Sequence, residues 1–212
     1  MIILIGAKGS MGRRYQAILR HLGQEFSAFD VGEDAQAIEG ARRSRGVILA
    51  PPTQTHAAYC RALADCDAPI LCEKPISTDL NEVREALERP APFRMMAQYA
   101  LLDPKEDGPT MYDYYRPGGD GLIWDCIQLV GLARGSLSLA QTSPIWRCAL
   151  NGRALRLEEV EEAYVLSVRD WIEWPDQERR IIYDYHARAA GLAATAMERP
   201  DARIMVDEAR LI

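Results

Sequence analysis

The chain has 212 residues, 48% apolar and 26% charged, with a formal net charge of -6. That is enough material for one or two domains with a hydrophobic core. The acidic balance argues against nucleic-acid binding through a broad basic face. No apolar run reaches the ~20 residues of a membrane span, so no membrane partner is expected. The five cysteines (Cys60, Cys66, Cys72, Cys126, Cys148) show no CxxC pair and no Cys/His metal spacing. They read as small buried hydrophobes of a reduced, cytoplasmic protein without a metal. The opening residues have no signal-peptide layout, because a strand pattern begins at once.

Ile2 to Ile5 is a short apolar run ending at Gly6 and predicts a buried strand. From Met11 to Leu22 the apolar residues Met11, Tyr15, Ile18, Leu19 and Leu22 share a helical face, closed by Gly23. Glu25 to Val31 predicts a second strand, Asp34 to Arg43 a weak helix, and Gly46 to Ala50 a third strand stopped by Pro51-Pro52. A helix over Thr55 to Ala64 and a strand over Ala68 to Cys72 follow. Thr78 or Asp79 caps a helix running to Glu88, and Phe93 to Leu101 predicts a fifth strand. Strands alternating with helices predict βαβ units, a parallel sheet, and a ligand crevice at the strands' C-terminal edge.

The pattern changes after Leu102, which places a first domain over residues 1–101 and a second, reduced α+β domain over 102–212. Thr110 to Tyr115, Ser136 to Gln141 and Ile145 to Leu150 predict strands, and Leu122 to Leu132 a helix. Asn151-Gly152 predicts a hairpin joining Leu150 to Ala154. Leu157 to Trp171 is amphipathic, with Leu157, Val160, Tyr164, Val168 and Trp171 on one face. His186 to Met197 predicts a last helix, and the C-terminal helices have the first domain to pack against.

Gly6-Ala-Lys-Gly9-Ser-Met-Gly12 follows a strand and opens a helix, a G-x-x-G-x-x-G variant of the dinucleotide fingerprint. Gly6 serves a sharp turn, Gly9 a close approach of backbone to pyrophosphate, and Gly12 tight packing of helix on strand. The helix N-terminus with Ser10 and Met11 offers N–H groups and partial positive charge to the phosphates. The alternative is a turn that holds no ligand. Asp30, ending the second predicted strand, suits the hydroxyls of an adenosine ribose and repels a 2′-phosphate; no arginine follows it. NAD is therefore expected over NADP.

Ala50-Pro51-Pro52-Thr53-Gln54-Thr55-His56 and, after the next strand, Glu73-Lys74-Pro75 carry a more specific pattern. With the phosphate loop and Asp30 it closely resembles the Gfo/Idh/MocA oxidoreductases across roughly residues 1–100. The resemblance implies a Rossmann-type α/β fold and hydride transfer between a nicotinamide and a small hydroxyl or carbonyl compound of sugar or polyol type. It implies that Lys74 lies near the nicotinamide and the substrate hydroxyl, where a cation stabilises a developing alkoxide. Ala50, Pro51 and Pro52 would pass along the cofactor, with Glu73 and His56 nearby. His56 has a structural reading as well, and the peptide before Pro75 can be cis.

The second half departs from that family. After the Gly118-Gly119 turn, Asp125 matches the family's catalytic Asp, but Gln128 stands where its His belongs. A glutamine orients a hydroxyl but is no acid or base near neutral pH. Of the remaining histidines, His21 reads as surface and His186 as structural. Tyr112, Tyr114 and Tyr115 are candidate proton relays, though aromatic packing explains them better. Two readings follow: an NAD-dependent oxidoreductase using Lys74, Asp125 and Gln128, or a non-catalytic or regulatory NAD-binding protein derived from the family. A reductase of a nonsugar substrate is a third. Apolar residues Leu137, Leu139, Ile145 and Trp146 on predicted strands suit a homodimer.

Overall fold

The computed structural model describes residues 1–98, 110–115, 124, 127, 137–142, 145–150, 157–198 and 204–206. The first half runs β1 (Ile2–Ile5), α1 (Ser10–His21), β2 (Phe26–Phe29), α2 (Asp34–Ala41), β3 (Gly46–Leu49), α3 (Thr53–Ala62), β4 (Ile70–Cys72), α4 (Leu80–Glu88) and β5 (Phe93–Met95). The five strands form one parallel sheet in the order β2-β1-β3-β4-β5, the Rossmann-like α/β arrangement expected from the sequence.

Buried on both sides, β1 and β3 carry no polar residue. Their side chains divide by pleat. Ile3, Ile5, Val47, Leu49, Ile70 and Cys72 face the layer built by Ala37, Ala41, Cys60, Leu63, Val83 and Leu87 of the α2–α4 side. Ile2, Leu4, Ile48 and Leu71 face Tyr15, Ile18 and Leu19 of α1. The strand β2 is an edge and only half buried, and it is shorter than the predicted Glu25–Val31. Asp79, one of the two proposed caps, starts α4 by accepting from the Asn81 N–H at 2.8 Å. The fifth strand ends at Met95 rather than Leu101; the last bond to its neighbour is Met96 N–H to the Cys72 carbonyl, 2.8 Å. Residues 99–101 lie outside the described ones.

Beyond residue 101, β6 (Thr110–Tyr115), β7 (Leu137–Thr142), β8 (Ile145–Leu150) and β9 (Ile204–Val206) form an antiparallel sheet in the order β6-β8-β7-β9. The pairing of β7 with β8 begins at Thr142↔Ile145, and Leu150 pairs with Thr110. Both edges of β8 are thus occupied by β6 and β7, which differs from the predicted Leu150–Ala154 hairpin. The Asn151-Gly152 turn itself lies outside the described residues. With three residues, β9 is too short to show a period and went unpredicted.

Helix α5 (Leu157–Glu173) lays Tyr164, Val168 and Trp171 onto the α1 side of the parallel sheet, as its apolar stripe foreshadowed. Helix α6 (Arg179–Glu198) starts earlier than the predicted His186, because Ile182 joins the core on the opposite side. Arg179 ties its start to the carbonyls of Leu87 at 2.8 Å and Ala91 at 3.0 Å.

Candidate functional site

The strand order reverses at β1, with β2 on one side and β3 on the other, so a crevice opens beyond their C-terminal ends. The loops after β1 and β3 meet there. Gly6 has φ +90, and a Cβ on it would lie 2.4 Å from the Pro51 nitrogen. Its N–H and that of Ala7 both donate to the Phe29 carbonyl, at 2.9 and 3.0 Å, which ties the loop to the end of β2. At Gly12 a Cβ would lie 2.1 Å from the Gly6 carbonyl oxygen. Both glycines are therefore demanded by packing within the chain.

Gly9 is different. The nearest atom to a Cβ there is 3.5 Å away, an ordinary contact, so none of the described residues requires glycine. Gly9 is exposed and N-caps α1 in an extended conformation without a side-chain cap. Exposed Ser10 and half-buried Met11 follow it. A bare backbone in front of an uncapped helix start fits a pyrophosphate, which supplies acceptors for those N–H groups and needs the room. From behind, Gln16 donates to the Ala7 carbonyl at 2.9 Å, and the Arg13 guanidinium donates to the Lys8 carbonyl.

Asp30 stands at the end of β2 with its side chain 15% exposed, 3.6 Å from the ammonium of Lys8. Tyr59 donates to Asp34 nearby, and burial together with that carboxylate pushes its phenol up to about 12.

After β4 comes the segment Glu73–Ser77, with a cis peptide between Lys74 and Pro75. Glu73 is 5% exposed. One of its carboxylate oxygens accepts the Tyr15 hydroxyl at 2.7 Å and the other the Lys74 N–H at 3.1 Å. Burial first, then the Glu73 charge, raise the Tyr15 phenol well above its ordinary range, so it stays a donor. His56 is 1% exposed, its Nδ1 2.8 Å from the Pro75 carbonyl and its Nε2 2.9 Å from the Pro51 carbonyl. It thus spans the β3 and β4 loops from beneath. A neutral ring donates to only one of these carbonyls; burial lowers its pKa, while both carbonyls and Glu73 oppose that.

The sequence reads His186 of α6 as structural. In the fold its Nε2 accepts the Ile76 N–H at 3.0 Å. Asp125 and Gln128 lie outside the described residues; their neighbours Trp124 and Ile127 are helical. Tyr112, Tyr114 and Tyr115 lie on β6. The fold thus gathers the glycine loop, Asp30, Ala50–Pro52 and the Lys74 loop on one edge of the sheet. Sequence reasoning missed Tyr15, Gln16 and His186, which support those loops from helices; Tyr15 and Gln16 show only ordinary helix periodicity, and His186 shows no local signal.

Residues 13–91 match the model of the Gfo/Idh/MocA family, an oxidoreductase family with an NAD-binding Rossmann fold. That match spans 79 of the 212 residues and lies within the parallel-sheet unit. No curated protein sequence matches the chain. Among solved structures, a Gfo/Idh/MocA family oxidoreductase from Vibrio cholerae superposes with a TM-score of 0.66 at 11% identity, over 94% of this chain and 98% of that one. The WlbA dehydrogenase from Thermus thermophilus, solved with NAD and UDP-GlcNAcA, gives 0.64 at 10% identity over 91% and 94%. A myo-inositol dehydrogenase from Corynebacterium glutamicum gives 0.63 at 13% identity over 97% and 98%. At such identities these likenesses speak for the fold. Among the described residues no helix is long and apolar enough to cross a membrane, and no His/Cys/Asp/Glu group could hold a metal.

Proposed function

We propose that the chain is an NAD(H)-dependent oxidoreductase acting on a small sugar- or polyol-like hydroxyl or carbonyl compound. The observation that carries this reading is Gly9: no described residue needs a glycine there, and the close approach of a pyrophosphate to the backbone would explain one. Bound nicotinamide supplies or takes up the hydride exchanged with the carbinol carbon. Gly6, Gly9, Ser10, Met11 and Gly12 hold the pyrophosphate. Asp30 accepts from the ribose hydroxyls and repels a 2′-phosphate, favouring NAD over NADP. Ala50, Pro51 and Pro52 line the path between adenosine and nicotinamide. His56 and Glu73, with their polar atoms engaged inside the chain, act by fixing the loops rather than by touching the reacting atoms.

Lys74 is the electrophile and proton donor at the substrate oxygen; Asp125 and Gln128 orient the substrate. An amide cannot exchange a proton near neutral pH, so Lys74 carries that task. Residues 1–101 form the cofactor unit and 102–212 the substrate and dimerisation unit of a cytoplasmic homodimer. The neighbours solved with UDP-GlcNAcA or named for myo-inositol favour the sugar and polyol class.

The test is a titration with NADH and NADPH followed by turnover on a panel of sugars and polyols. Tighter NADH than NADPH binding is expected, and Lys74→Ala should abolish turnover while leaving NADH affinity within about twofold. Binding without turnover on any compound would favour the alternative, a regulatory NAD-binding protein, which Gln128 in place of the family's histidine already suggests. Failure to bind either nucleotide would overturn both readings.

A further inference from the structure

The peptide unit between Pro75 and Ile76 is held at both ends by imidazoles. Its carbonyl lies 2.8 Å from Nδ1 of His56, and its N–H donates to Nε2 of His186 at 3.0 Å. Both rings are buried, at 1% and 0% exposure. The Nδ1 of His186 lies 2.9 Å from the Ile182 carbonyl, which fixes its neutral tautomer with the proton on Nδ1 and the lone pair on Nε2. Rotating that peptide would break both bonds and leave a buried N–H and C=O without partners. His56 comes from α3, next to the loop. His186 comes from α6, 110 residues along the chain from Ile76. Its ring also lies beside Trp124, with centroids 6.3 Å apart. Ile76 is two residues past Lys74, and Trp124 adjoins Asp125. His186 therefore bonds the residue two past Lys74 and lies beside the residue that precedes Asp125.

We propose that His186 is a positioning residue: with His56 it locks the Pro75–Ile76 peptide and so holds the backbone of the Lys74–Ile76 loop in place against the nicotinamide end of the bound dinucleotide, which makes α6 part of the site. This inference rests on the NAD(H) reading above. It requires that the effect be confined to the nicotinamide half, because the adenosine and pyrophosphate groups meet the β1 and β2 loops, which His186 does not touch.

The experiment compares NADH with ADP-ribose, which lacks the nicotinamide, as ligands of the full chain and its variants. His186→Leu should weaken NADH binding by about five- to tenfold, the worth of one hydrogen bond, and leave ADP-ribose within about twofold. His186→Gln, whose side-chain carbonyl oxygen can replace the Nε2 acceptor, should recover most of the NADH affinity. Equal losses for both ligands, or an unchanged ratio between them, would overturn the inference while leaving the NAD(H) reading intact. A wild-type chain that binds neither ligand would remove that reading and the inference together. Should His186→Leu not fold, the wild-type protein decides by nuclear magnetic resonance. NADH should shift the Ile76 amide and the His186 Nε2 signals, and ADP-ribose should not; equal shifts with both ligands overturn the proposal.

Discussion

Three glycines in one loop answer to different neighbours, and substitution separates them. A Cβ on Gly12 would overlap the Gly6 carbonyl at 2.1 Å, against backbone that cannot swing aside. Gly12→Ala should therefore lower stability by about 1–3 kcal/mol or more, read by urea denaturation. Gly9→Ala meets nothing closer than 3.5 Å. It should cost under about 1 kcal/mol of stability, the scale of an altered N-cap, while NADH affinity falls by about tenfold or more as the methyl group enters the pyrophosphate's place. If Gly9→Ala binds NADH like the wild type, the loop is a turn without a ligand. The places of these glycines, Asp30 and Lys74 were legible because each belongs to a local pattern, a strand end followed by a turn. The bond from Tyr15 to Glu73 was not, since a tyrosine on a helix's apolar face reads as core until a buried carboxylate lies opposite it.

At the scale of elements, α5 shows where pattern stops. Its stripe of Tyr164, Val168 and Trp171 announced a buried face but not what it covers. The partner surface is set by Gly46 on β3, where a Cβ would lie 2.7 Å from the Trp171 ring. The indole thus lies over a strand position that has no side chain. Its Nε1 is buried with no acceptor among the described residues, so packing against them holds the ring rather than its polar atom. Trp171→Phe removes that unpartnered donor and keeps most of the volume, so it should cost less than about 1.5 kcal/mol. Trp171→Ala should cost about 3–5 kcal/mol through the cavity left between α5 and the sheet. Thermal melts of the two variants, measured side by side, check this ordering. Strand β9 and the early start of α6 escaped the sequence for a related reason: short elements at the chain's far end are decided by the surfaces that they meet.

For the molecule as a whole, His186 couples folding to pH. Burial lowers its pKa from 6.5 to about 4, with only the bond to Ile182 opposing it. Above about 6.5 the folded and unfolded chains both hold it neutral, and stability is complete. Between 6.5 and about 4 the unfolded chain takes up a proton that the fold refuses, so stability falls as pH falls through this window. At about 1.4 kcal/mol per pH unit, the full effect is roughly 3 kcal/mol. Urea midpoints from pH 7 to 4 should show the decline, and His186→Gln should flatten it. A decline of the same size in His186→Gln would assign the acid sensitivity elsewhere, His56 being the next buried imidazole with a lowered pKa.

The sequence by itself determined the parallel α/β unit and the glycine and proline turns at its strand ends. Alternating apolar runs and glycines at strand ends are local constraints, written within a few residues of one another. Only the tertiary structure decided what stands behind the site: Tyr15 against Glu73, the peptide held between His56 and His186, and α5 closing the second face of the sheet over Gly46. Those contacts join distant segments through burial and geometric fit. Periodicity states that a helical face is buried, but the choice of partner depends on how all the elements fill space together.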